Sequence, residues 1–192
     1  MSEYQYYEFC QINKPLSKEA RQEMRSLSSR ANIGSHGASY VYNYGDFRGD
    51  PKQLLLKYFD VFFYISNFGT VELIFKYPIK HVDIPTLKKY YIEHVIEIEQ
   101  HEQHILLEVC IDNEEGFGWT EGEGLLPNLL PLYDEIKAKN YQFLSLVQTL
   151  HCEFSGEEPD PANIAIAENT LLSEAQQTFL ECVGVDHRAI IT

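Results

Sequence analysis

The sequence predicts an α+β fold: a mostly antiparallel sheet with interspersed helices and a helical C-terminal part. Three observations lead there. Strand-like segments come in groups joined by short turns. Helical segments separate some of those groups. From residue 125 onward the pattern is helical. Runs of strands followed by runs of helices mark segregated α+β architecture rather than alternating βαβ units.

Residues 4–12 are dense in Tyr and Phe and read as a strand, which Pro15 ends. Ser17 is placed to cap a helix, with Glu19 in its first turn. Leu16, Ala20, Met24 and Leu27 fall at near-helical spacing, so one face packs inward while Lys18, Arg21 and Arg25 occupy the rest. Residues 28–37 carry Ser, Asn and Gly without apolar periodicity and read as a loop. Residues 39–44 alternate and form a second strand, followed by the Gly-flanked turn 45–50. Asp50 then caps a helix that has Pro51 at its first position and Gln53 at the capping-box site, running to about Phe59.

Residues 61–67 are apolar throughout and fit a strand covered on both faces. Asn67-Phe68-Gly69 turns the chain into an antiparallel partner at 71–77. A short helix around Pro85 covers 83–91. Ile96 and Ile98 alternate with Glu97 and Glu99; after a turn near His101-Glu102, Ile105, Leu107, Val109 and Ile111 share one face of a hairpin. Residues 113–124 are a Gly- and Glu-rich loop holding Phe117 and Trp119. Residues 125–154 are helical, interrupted at Pro127, Pro131 and near Asn140. Residues 155–169, acidic and carrying Pro159 and Pro161, read as a linker or extended crossing. Ser173 with Gln176 opens a last helix, and Gly184 closes it.

At 192 residues the chain has room for one large domain or a main domain with an appendage. The pattern divides at 124: a sheet domain over 1–124 and an acidic helical part over 125–192, packed on the first. No window approaches the ~20 apolar residues of a membrane span. The opening Met1-Ser2-Glu3-Tyr4 is polar, unlike a signal peptide, so the expected location is the cytoplasm. Cys10, Cys110, Cys152 and Cys182 are far apart and form no CxxC pair, which fits free thiols in a reducing compartment.

Charge is segregated. Residues 1–89 hold 12 Lys and Arg against 9 Asp and Glu; residues 90–192 hold 3 against 20, and the chain totals −14. The second half would repel nucleic acid, whose binding needs Lys and Arg to displace counterions. It would attract a basic partner. Self-association of unlike halves into a homo-oligomer is also compatible.

The segments Leu27-Ser28-Ser29-Arg30-Ala31, Tyr44-Gly45-Asp46-Phe47-Arg48-Gly49-Asp50-Pro51, Tyr58-Phe59-Asp60 and Asn67-Phe68-Gly69-Thr70 resemble a family of uncharacterised conserved bacterial proteins. Glu157-Glu158-Pro159-Asp160-Pro161 and the last helix resemble its C-terminal part. The GDFxGDP run is the most specific piece. The chain departs from the family with Phe68 in place of Trp and without the usual Arg after Lys139. The resemblance implies a cytoplasmic bacterial protein and carries no activity with it.

Two candidate sites follow from residue chemistry. Arg25, Arg30, Asp46, Arg48 and Asp50 gather near the GDFRGDP turn, where the planar Arg fork suits a phosphate or carboxylate. The structural alternative is that Asp50 caps a helix, Asp46 pairs with an Arg, and the other Arg pair with the acidic half. The second candidate is the loop bearing Glu114, Glu115, Phe117, Trp119, Glu121 and Glu123, where a lone Trp among carboxylates can anchor a partner. That Trp can equally fold back as a plug over the sheet. His94, His101 and His104 sit about a hairpin turn without HExxH or nearby Cys, so no metal is expected. No GxSxG, P-loop or GxGxxG occurs, and no cofactor is implied.

The reading favoured by these features is a non-enzymatic acidic interaction module. One alternative is an enzyme or small-ligand-binding protein with its site at the GDFRGDP turn. Another is an acidic nucleic-acid mimic that occupies a basic protein.

Overall fold

A computed structural model describes residues 3–158 and 171–186. From residue 159 on, the expected acidic linker lies outside the described residues, as does Arg188. Within them the chain is α+β. Seven antiparallel strands form one sheet: β1 (Gln5–Cys10), β2 (Asn32–Ile33), β3 (Gly37–Tyr42), β4 (Val61–Ser66), β5 (Thr70–Pro78), β6 (Ile96–Gln100) and β7 (His104–Asp112). Their spatial order is β2-β3-β1-β4-β5-β7-β6. The helices are α1 (Lys18–Leu27), α2 (Pro51–Tyr58), α3 (Ile84–Leu87), α4 (Leu126–Leu129), α5 (Pro131–Lys137), α6 (Gln142–Ser155) and α7 (Glu174–Cys182).

Strand alternation assigns side chains to two faces. On the front face Tyr7, Phe9, Tyr40, Phe62 and Ile74 pack under α1 and α2, which contribute Ala20, Met24, Leu54 and Leu55. On the back face Tyr6, Phe63, Leu73, Phe75, Leu107 and Val109 pack under the C-terminal helices, which contribute Leu129, Ile136, Leu144, Val147 and Phe179. β4 lies between the two layers, and all six of its residues are buried. This is why its sequence is apolar without alternation.

The caps form as the sequence requires. Ser17 Oγ accepts from Ala20 N at 3.1 Å, Asp50 Oδ1 from Gln53 N at 3.1 Å, and Ser173 Oγ from Gln176 N at 3.2 Å. Gln176 does not complete a reciprocal box. Its side chain donates to Glu135 Oε2 at 2.8 Å and so ties α7 to α5. Pro127 and Pro131 fall in the first turns of α4 and α5, which accounts for the broken helical run.

Two boundaries differ from the sequence reading. The expected loop at 28–37 contains β2, and the second strand spans Gly37–Tyr42 rather than 39–44. Gly37 is the reason. A Cβ there would stand 2.4 Å from the Phe9 carbonyl oxygen, so glycine permits the close pairing with Cys10. The short helix expected at 83–91 is α3 followed by a 3₁₀ turn, Lys88–Tyr90.

Candidate functional site

Three strand-end connections meet at the end of the sheet where β1 begins: the β3–α2 loop, the β4–β5 turn, and the loop from β7 to α4. Each exposes one large aromatic. Tyr44 is 80% exposed, Phe68 49% and Trp119 62%. Such exposure of large rings is unusual enough to need a physical account.

The β7–α4 loop is anchored to the fold at several points. Asn113 N donates to Gly69 O at 2.8 Å, and Gly116 N donates to Asn113 O at 2.8 Å. The Phe117 ring lies 5.7 Å from that of Phe154 on α6. Gly122 N donates to the Tyr4 hydroxyl at 3.0 Å. Gly122 also lies flat on Tyr6: a Cβ at this position would come within 2.3 Å of the ring. Trp119 is held between these anchors, its ring centroid 5.3 Å from that of Tyr4. Phe117 is therefore a packing residue, whereas Trp119 rests on Tyr4 with most of its surface in solvent.

Carboxylates flank this ring along the loop. Glu114, Glu115, Glu121 and Glu123 are exposed, and among the described residues none has a Lys, Arg or His within 4.0 Å. Their field reaches inward. The Tyr4 hydroxyl is held above its ordinary pKa by burial first, and then by Glu121 and Glu123. Glu8 on β1 is raised by burial and by Glu123, although its bond from the Tyr6 hydroxyl (3.0 Å) opposes this.

The candidate residues at the GDFRGDP turn separate. Arg30 and Arg48 line one groove of about 480 Å³ with Ser28, Ser29, Tyr42, Asn43 and Tyr44. Arg25 projects elsewhere on α1, beside Lys18 and Arg21. Asp50 is committed to its cap. Asp46 is exposed beside the groove but does not line it. Among the described residues, Arg21, Arg25, Arg30 and Arg48 have no carboxylate within 4.0 Å.

Sequence reasoning missed a third cluster, on the front face beside α2. Glu72 of β5 and Glu108 of β7 lie on neighbouring strands, close enough for their carboxyls to repel one another. Lys52 from the first turn of α2 reaches them, with Nζ 2.6 Å from Glu108 Oε2 and 3.4 Å from Glu99 Oε2. Burial, then the adjacent Glu108 charge, pushes the Glu72 carboxyl up to about 8, against the pull of Lys52. One signal was available: Glu72 interrupts the apolar run Val71 to Phe75. Nearby, Lys76 is buried with Nζ donating to Leu55 O at 2.8 Å and lying 3.6 Å from Asp60 Oδ1.

The four cysteines are free. Burial raises the thiol pKa of each; Cys10 is pushed up to about 11 and Cys182 to about 12. A raised pKa suppresses the nucleophilic thiolate. Among the described residues no helix is long and apolar enough to cross a membrane. Comparison with protein-family models, with curated proteins and with solved structures finds no match.

Proposed function

We propose that this protein is a non-enzymatic interaction module of the bacterial cytoplasm that holds a basic partner at the loop end of its sheet. The observation that carries the reading is Trp119: 62% exposed on a loop otherwise pinned at both flanks. A large ring already fixed in place loses little conformational freedom on binding, which favours an anchor role. Glu114, Glu115, Glu121 and Glu123 supply unneutralised negative charge around it. Complementary charge steers the encounter, while the ring supplies the buried contact. A Lys- and Arg-rich segment with an apolar side chain for the Trp119 face fits both features. Free, unactivated thiols are consistent with a reducing compartment.

The chain has one Trp, so its intrinsic emission reports on this site alone. Titration with a Lys- and Leu-containing peptide should blue-shift and saturate that emission at low salt. The effect should fade toward about 0.5 M salt, where the Debye length is only a few ångströms. Glu121→Gln with Glu123→Gln should weaken binding roughly tenfold, the factor that about 1.4 kcal/mol represents. Emission that stays unchanged across the titration, or binding indifferent to both substitutions, would sink the proposal.

A further inference from the structure

A second surface has the opposite charge. β2 begins opposite Ser39, so among the described residues, positions 40–42 of β3 have β1 as their one neighbouring strand. Hydrogen-bond alternation determines which way their backbone points. Tyr4 O and Cys10 O accept bonds on the β4 side of β1, while Gln11 N donates to His36 on the β3 side. The odd residues of β1 therefore face β3. Tyr7 and Gln5 engage Tyr40 and Tyr42, and Val41 turns its N–H and C=O to the open edge.

That edge is not bare. Residues 27–30 run alongside Val41, Tyr42, Asn43 and Tyr44, and the space between is the Arg30–Arg48 groove. The Tyr42 hydroxyl, withdrawn from solvent, has no hydrogen-bond partner among the described residues. Among the described residues no carboxylate lines the groove and neither arginine is ion-paired. On a chain of net charge −14, two unpaired arginines beside an open strand edge form a distinct local field.

We infer that this groove receives an extended acidic peptide segment, which pairs with β3 at Val41 while its carboxylates meet Arg30 and Arg48. Strand addition draws affinity from main-chain bonds and specificity from alternate side chains. Only every second residue of the incoming strand faces the arginines, so the motif is an acidic residue at alternate positions over about three to five residues. Arg presents a planar fork that binds a carboxylate through two parallel bonds, so Lys would not serve equally. The groove shares no lining residue with the Trp119 loop and takes the opposite class of partner.

The test uses the full chain and a fluorescein-labelled peptide, Glu-Val-Glu-Val-Glu, capped at both ends. Saturable binding is expected, with anisotropy rising below about 1 mM peptide. Arg30→Ala with Arg48→Ala should weaken it at least roughly tenfold. Val41→Pro, which deletes the outward N–H at an edge position that tolerates proline, should also weaken it. If that variant misfolds, a peptide N-methylated at its central residues probes the same bonds without touching the protein. Trp119→Ala should bind the peptide as wild type does, so failure of the basic-partner reading leaves this result intact. Three results would overturn the inference: no saturable binding, equal binding by the double Arg variant, or equal binding of the N-methylated peptide. Complete displacement by inorganic phosphate would also overturn it, since the groove would then be a site for small anions. Dimerisation that masks the groove would instead make a second copy its occupant.

Discussion

On the back face of β5, Val71, Leu73, Phe75 and Tyr77 lie under the C-terminal helices and are fully buried. One residue over on the same strand, Glu72, Ile74 and Lys76 face the front, covered only by the two short helices of the N-terminal half. The back face is closed by apolar packing. The front face is apolar and aromatic around Phe9, Phe47 and Phe62 but ionic toward β7, where Lys52 and Lys76 meet Glu108 and Asp60. The charges are tolerated because each has a partner. A buried ion pair adds little net stability but is costly to break, whereas an apolar contact simply adds. The same strand therefore answers differently to substitution at neighbouring positions.

The largest effect is expected on the back face. Phe179 of α7 is fully buried and meets Phe143 edge-on at 4.9 Å. Phe179→Ala should cost about 3–5 kcal/mol in urea unfolding. A loss under about 1 kcal/mol would mean that α7 contributes little to the back layer.

Next is the front-face ion pair. Lys76→Met keeps the stem but leaves Asp60 without its cation, and should cost about 3 kcal/mol at neutral pH. Adding Asp60→Asn should recover much of that loss, because the orphaned charge is then gone. A loss that the second substitution leaves in place would show that the Lys76 bond to Leu55 O, not the charge, is what matters.

The smallest expected effect has the opposite sign. The Glu72 carboxyl is raised in the fold to about 8 from its ordinary 4.5. The folded state therefore holds this proton more tightly than the unfolded chain does. The resulting stabilisation is present below about pH 4.5 and is lost as pH rises toward 8. Glu72→Gln should stabilise the protein at pH 9 and change little at pH 4. Equal effects at both pH values would mean that Glu72 titrates normally.

The same contrast explains what could be read in advance. β4 was legible because a strand buried on both faces is apolar at every position. The caps at Ser17, Asp50 and Ser173 were legible because each bonds to a residue three positions on. β2 was not, because two residues carry too little pattern and its pairing to Ser39 is a long-range fact. Glu72 and Glu108 lie 36 positions apart and come together only because β5 and β7 are neighbours. The exposure of Trp119 was likewise open in the sequence, where anchor and plug had equal claim.

Local chemistry alone determined the α+β class, the strand and helix periods, the caps, and the division of charge between the halves. Each of these depends on residues within a few positions of one another or on plain counts. Tertiary structure decided which Arg share a groove, which carboxylates come close together, and which face each charge occupies. It separated Arg25 from Arg30 and Arg48, and it gave Asp50 to a helix cap. Those outcomes depend on sheet order and register, which bring distant residues within a few ångströms and set the dielectric around them.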